Sequence, residues 1–346
     1  MRNLKICLVL SFHLISLVSI VGCGTSSDSE VIVYAALDEQ FSGPVLEDFE
    51  AETGVDVRAN FDVESTKTIG LVNKIVYQQN RPVCDVFWNN EIVHTLRLQK
   101  LGLLETYVSP VADPFPPQWK SSEGYWHGLA ARARVLIVNT SLVSPAEMPT
   151  SIQDLIDSKW RGKVGMAKPA YGTTASHAAV LFAMWGDEKA KEFFRQIKAN
   201  VSIVSGNKQV AQDVSNGRLA FGITDTDDAI IELEHSLQGQ DVQIIFPDQG
   251  AGEMGTLLIP NSLCLVKNSP NPDNARQLID YLLQPPVERQ LCRGQSAQVP
   301  LSTNVSTTSR ALAEQNVKWM DVDFAAAADK WDITLQFLSQ TFAIAN

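Results

Sequence analysis

The chain lacks the spellings that mark common chemistries. Its 346 residues contain no H-E-x-x-H, no G-x-S-x-G, no Walker loop and no strand-to-helix Rossmann fingerprint. That removes the usual signatures of zinc proteases, serine hydrolases, nucleotide hydrolases and dinucleotide enzymes. No two tyrosines are adjacent, and no C-x-x-C occurs. The five cysteines, Cys7, Cys23, Cys84, Cys264 and Cys292, are spaced as neither a zinc site nor a disulfide framework. The five histidines are scattered, so none has a metal partner at ligand spacing. Bases are the minority, 28 Lys and Arg against 39 Asp and Glu, a net charge of −11. This balance argues against nucleic acid and against electrostatic adsorption to anionic lipid. Long apolar runs are confined to residues 6–21. No later stretch reaches the ~18 residues needed to span a bilayer.

That one run follows Arg2 and Lys5 and ends in Ile20-Val21-Gly22-Cys23, ahead of a polar Gly24-Thr25-Ser26-Ser27 stretch. A charged start, an apolar core and a small-residue end predict a secretory signal over 1–22. The small residue and Cys23 at its end resemble the lipobox of bacterial lipoproteins. The resemblance implies cleavage before Cys23, a lipid on its sulfur, and residues 23–30 as a tether. Loss of 1–22 removes two bases and no acid, so 28 − 2 = 26 bases face 39 acids and the mature net charge is −13. Three cysteines then remain, and the spacing leaves open whether Cys264 and Cys292 are bonded.

The mature chain exceeds a single typical core, so two lobes are expected. Residues 31–36, 55–61 and 84–88 read as strands, with helices at 41–53 and 65–79 between them. That alternation predicts a doubly wound α/β lobe. Residues 132–139 read as a strand bridging to a second α/β lobe. There 165–167 is a strand, 176–185, 188–199 and 207–216 are helices, and 242–246 is a strand. Strands at 256–260 and 263–267 return to the first lobe, followed by a helix at 272–283 and outer helices from 309 to the end. The predicted division is 31–131 plus 256–285 for one lobe, and 132–255 plus 286–346 for the other.

Leu219–Ala229 organises this plan: an apolar strand that ends in Asp225, Asp227 and Asp228 and then turns helical. One Asp suffices to cap a helix. Three at the carboxyl edge of a sheet point to a cleft, because that edge is where open α/β sheets bind ligands. Asp38, and Asn90 with Glu91, end two other strands at the same kind of edge. Tyr171-Gly172-Thr173-Thr174-Ala175-Ser176-His177 opens a helix, where free N–H groups and hydroxyls form an anion cradle. Ser65-Thr66-Lys67-Thr68 is a second such helix head, with a cation added. Arg132 and Arg134 alternate along the bridging strand and point to one side. From there they either reach an anion or form ion pairs.

Several phrases in order are similar to the solute-binding proteins of bacterial ABC importers, in the ferric-ion-binding branch of the two-lobed periplasmic class. They include Phe49-Glu50-Ala51-Glu52-Thr53-Gly54-Val55, Asp85-Val86-Phe87-Trp88, Trp160-Arg161-Gly162-Lys163-Val164, Asn216-Gly217-Arg218-Leu219-Ala220 and Ser296-Ala297-Gln298-Val299-Pro300. The resemblance implies two hinged α/β lobes of the type II kind, a ligand held between them, and delivery to a permease in the cytoplasmic membrane. It also implies a monomer outside that membrane with no resident cofactor. Ferric members hold iron with two adjacent tyrosines where this chain has Thr224–Asp228. Here Asp225, Asp227 and Asp228 would be the metal ligands if ferric ion is the cargo. The favoured ligand is instead a phosphorylated or phosphonylated organic solute. Its anionic end would face Gly172, Thr173, Thr174 and His177, with Thr66, Lys67, Arg132 and Arg134 as further donors. Its hydroxyls or amine would face Asp38, Asn90, Glu91 and the 225–228 acids, with Trp88, Trp126 and Tyr171 as a stacking wall. A hydrolase using His177 with Thr173 and Asp225 is the least favoured reading.

Overall fold

A computed structural model describes residues 29–62, 68–236, 241–312 and 315–343. Cys23 with the expected signal and tether up to residue 28, and Thr66 with Lys67, lie outside them. The first lobe opens with β1 (Glu30–Ala35), α1 (Glu39–Thr53), β2 (Asp56–Phe61), α2 (Ile69–Tyr77), β3 (Val86–Asn89), α3 (Val93–Lys100) and the short β4 (Leu104–Glu105). β1 lies between β2 and β3, parallel to both. Helix α1 buries Phe41, Val45, Leu46 and Phe49, and Gly54 ends it at φ 72°, a left-handed turn that glycine adopts without strain.

β5 (His127–Asn139) is the structural axis: thirteen residues, every one buried. β6 (Val164–Ala167), α4 (Gly172–Trp185), α5 (Asp187–Asn200), β7 (Ser202–Val204), α6 (Asn207–Ser215), β8 (Phe221–Asp225), α7 (Thr226–His235) and β9 (Val242–Ile245) then build the second lobe. β10 (Leu258–Val266) returns to the first, followed by α8 (Pro272–Leu282), α9 (Pro285–Arg293) and α10 (Phe324–Phe342). The first half of β5 pairs with β10, and its second half with β8 and β9. One strand therefore threads both lobes. β10 in turn pairs with β3 and β4, and β8 continues through β6 to β7. The chain is α/β and two-lobed, as its alternation predicts.

Several predicted boundaries differ. The bridging strand starts at His127 rather than 132, because Gly128 and the alanines that follow lack the branched residues by which strands are read. The strands expected at 256–260 and 263–267 are one. Pro260 donates no N–H, but the register shifts between Pro260 and Asn261, and such a bulge tolerates it. Helix α9 packs on α1 and α8, among first-lobe elements, where the predicted division has 286–346 in the second lobe. The final helix is not simply external: α10 touches α3 and α4, and its Trp331 is buried. Cys84, Cys264 and Cys292 are buried free thiols, which answers the disulfide question in the negative. Among the described residues no helix is long and apolar enough to cross a membrane.

The second lobe is tightest where α6 meets its sheet. A Cβ on Gly222 of β8 would lie 2.5 Å from Val210 Cγ1 and 2.8 Å from the Gly165 carbonyl oxygen of β6. Gly222→Ala is therefore expected to overpack the lobe and lower stability by about 1–3 kcal/mol, read by urea denaturation. An unchanged midpoint would contradict this close approach.

Candidate functional site

The strand ends of β1, β3, β6 and β8 converge where the lobes meet. Arg134 of β5 stands directly across from Asp225 of β8 in the antiparallel register. The two form an ion pair of 2.7 Å at which both side chains are almost fully buried. Arg134 Nη1 also donates to Asn207 Oδ1 at 3.1 Å and to Thr173 Oγ1 at 3.3 Å, and Nη2 donates to Thr174 Oγ1 at 3.2 Å. The second Asp225 oxygen accepts from the Thr173 hydroxyl at 2.5 Å and from Asn207 Nδ2 at 2.9 Å. Burial alone would raise the Asp225 carboxyl, but Arg134 and Arg132, with the Thr173 hydroxyl, hold it below the ordinary range.

Two residues back on β5, Arg132 makes a second buried pair, 3.1 Å from Asp227 Oδ2, and donates to Asn261 Oδ1 at 2.9 Å. Burial works against its charge, yet Asp227, Asp225, Asp38 and Asp228 together raise its pKa. Asp38 belongs to the first lobe, at the cap of α1, where its carbonyl rather than its side chain meets the helix N–H groups. Asp225, Asp227 and Asp228 each offer a carboxylate oxygen, all within 4.8 Å of one another. Four carboxylates, those of Asp38, Asp225, Asp227 and Asp228, thus act on the two guanidiniums of Arg132 and Arg134.

Beside the acids lies a recess of about 20 Å³, room for one water-sized group. The heads of α4 and α6, Lys168 and, from the first lobe, Asn90 line it. The first N–H groups of a helix have no carbonyl within the helix to meet, and they carry the positive end of its dipole. The recess therefore has a donor end and, through Asp225, an acidic flank.

The sequence places these parts correctly side by side but misassigns several roles. Thr173 and Thr174 turn their hydroxyls inward to Asp225, Arg134 and Asn207, so only the backbone of the Gly172–Thr174 turn remains for an anion. Arg134 is spent on Asp225, as its alternation with Arg132 allowed. Glu91 is no ligand: fully buried, it accepts N–H bonds from Val93 at 2.6 Å and His94 at 3.0 Å, capping α3, and a hydroxyl bond from Ser176 of α4 at 2.7 Å. His177 lies about 6 Å down the helix from Thr173. It lines an inner cavity with Ile152, Leu155, Phe193 and Phe194, where burial and the nearby Arg134 push its pKa down to about 3. Trp88 and Trp126 are core residues, and only Tyr171 of the stacking wall borders the recess. Asn90 is at the recess and accepts the Thr68 hydroxyl at 2.7 Å.

Asn207, Lys168 and Asn261 are the residues that sequence reasoning missed. Asn207 opens a helix after a strand, the same signal that singled out Thr173, and applying that rule evenly would have found it. Gly250-Ala251-Gly252-Glu253-Met254-Gly255 spells a dinucleotide fingerprint but leads into β10, not a helix, so it has no helix start on which to seat a pyrophosphate.

Residues 85–328 match the family described as bacterial extracellular solute-binding protein. The chain belongs to that family. As a member it is an extracytoplasmic substrate-binding protein of the ABC-importer kind. It is 24% identical over 308 residues to iron uptake protein A1 of a Synechocystis species, covering 82% of this chain and 84% of that protein. Apo ferric ion-binding protein A of Pasteurella haemolytica shares the fold with a TM-score of 0.79 at 23% identity, covering 91% of this chain and 98% of that one. So does the periplasmic binding protein AfuA of Actinobacillus pleuropneumoniae with fructose-6-phosphate bound, at a TM-score of 0.78 and 21% identity over 91% of this chain and 99% of that one. The shared fold agrees with the two-lobed architecture above.

Proposed function

We propose that this chain captures a phosphorylated or phosphonylated organic solute between its lobes and hands it to an ABC permease. The observation that carries the reading is the recess at the heads of α4 and α6, which lies beside the cluster of Asp225, Asp227 and Asp228. The starts of α4 and α6 with Lys168 suit phosphoryl oxygens. Asp38, Asp227 and Asp228 suit hydroxyls or an ammonium group. The recess as it stands is too small for such a solute, so the lobes part to admit it and close again. A trivalent ion at the acid end would face Arg132, 3.1 Å from Asp227, without a tyrosine pair to hold it. AfuA, with fructose-6-phosphate bound, is a precedent on this fold.

Ferric iron with a synergistic anion is the second reading. The clustered oxygens of Asp225, Asp227 and Asp228 favour it, as do the names of relatives such as iron uptake protein A1. Calorimetry on protein stripped of bound solute separates the two. Fructose 6-phosphate or 2-aminoethylphosphonate is expected to bind with micromolar Kd, about 8 kcal/mol, and inorganic phosphate more weakly. Tight ferric nitrilotriacetate binding with no response to either organic solute would overturn the first reading in favour of the second.

The chain is a carrier, not an enzyme, in this account, and it holds no resident cofactor. The imidazole nearest Thr173 and Asp225 is His177, neutral and turned into apolar interior. The protein works as a monomer outside the cytoplasmic membrane, cut from its signal at residue 22 and held by lipid on Cys23. Two acyl chains or more anchor stably where one does not. Cys23→Ala is expected to move the protein from the membrane to the soluble fraction on cell fractionation. Retention in the membrane would remove the lipid anchor.

A further inference from the structure

Helix α10 touches both lobes, and its two contacts differ in kind. On the second lobe it is seated by aromatic packing. Phe337 lies 6.0 Å from Phe182 of α4, Arg195 of α5 covers the Phe337 ring at 5.6 Å, and Leu338 is buried in the cluster that holds Leu181 and Phe194. Lys330 adds an ion pair to Asp187 at 2.8 Å.

Toward the first lobe the seam joins a buried apolar patch to partly exposed ion pairs with a gap beside them. Lys100 pairs with Asp329, and Arg97 Nη2 stands 3.4 Å from Asp332. Trp331 meets His94 edge-on at 4.2 Å, and with Ala327 and Ala328 forms the apolar part of this side. A gap of about 440 Å³ opens next to these contacts, among Asn73, Arg97, Tyr171, Leu335 and Gln336. Near the head of α4, Ser176 donates to Glu91 across the lobes at 2.7 Å.

We propose that α10 travels with the second lobe, and that its ion pairs to α3 are a latch made when the lobes close and broken when they part. The ion pairs border solvent space, so this edge of the seam is the one that separates most readily. Ion pairs reached by water are weak and screened by salt, which suits a contact that must be remade in every cycle. The latch rests on ligand entry between parting lobes but not on which ligand enters, and its readout needs no ligand at all.

Pulsed EPR distances from a spin label at Gln336→Cys test it, since Cys84, Cys264 and Cys292 are buried. One partner label at Lys198→Cys reports α10 against the second lobe, and another at Lys267→Cys reports α10 against the first. Raising NaCl from 0.05 to 0.5 M is expected to lengthen the first-lobe distance by several ångströms and leave the second-lobe distance unchanged. Arg97→Gln with Lys100→Gln should produce the longer distance at low salt and abolish the salt response. The exchange Lys100→Asp with Asp329→Lys, which keeps this pair with its charges swapped, should keep the short distance and the salt response. A second-lobe distance that changes while the first-lobe distance holds would place α10 on the other lobe. No salt response in either distance would remove the latch. The salt titration needs no altered latch residue, so a poorly folding variant leaves the test intact.

Discussion

Asp225→Ala is expected to cost about 3–5 kcal/mol of folding stability, because it strands the Arg134 guanidinium inside the second lobe. It also takes the acceptor from Thr173 and Asn207, so the loss extends to the heads of α4 and α6. Urea denaturation followed by circular dichroism measures it, and a loss below about 1 kcal/mol would contradict the network. Adding Arg134→Met should recover much of the loss, since a neutral side chain of similar length leaves no buried charge. The pH dependence has a definite sign. The Asp225 carboxyl is depressed in the folded chain, so its contribution is fully present above its unfolded pKa near 4 and is lost as pH falls through the folded value. Wild type should therefore lose stability on acidification more steeply than Asp225→Ala with Arg134→Met.

This expectation differs from what the sequence alone suggests for Asp225, a ligand in the cleft. A strand ending in acids and a strand with alternating arginines are both visible in the letters. Their register is not, and the register puts Arg134 opposite Asp225. Glu91 misled for a similar reason: at a strand end it reads as a cleft residue, but its backbone turns so that the carboxylate caps α3. The alternation of strands and helices, the bridging strand and the strand-end and helix-head positions of residues 225–228 and 172–174 were legible, because they follow from periodicity and helix-start chemistry. The extent of β5, the continuity of β10 through Pro260 and the two-lobed reach of α10 were not, because long-range pairing decides them.

Asp38→Ala and Asp228→Ala are expected to show the complementary behaviour. Both residues are half-buried beside Arg132, so solvent reaches them and stability should fall far less than in Asp225→Ala. Binding should weaken by roughly 10–100-fold in each, the loss of one charge-assisted hydrogen bond at about 1.5–3 kcal/mol. Titration of fructose 6-phosphate into each variant, with thermal midpoints alongside, separates the two effects. Affinity unchanged in both variants would take the acid end out of the site. Asp38 carries further weight because it comes from the first lobe, and its loss reports whether both lobes grip the solute.

Native mass spectrometry of the protein purified from its own host, without added ligand, is the most direct check on what the cleft holds. The account predicts an adduct of an organic phosphate or phosphonate, phosphorus-containing and iron-free, that disappears on denaturation. A mass shift of one iron atom, with or without a small inorganic anion, would contradict it.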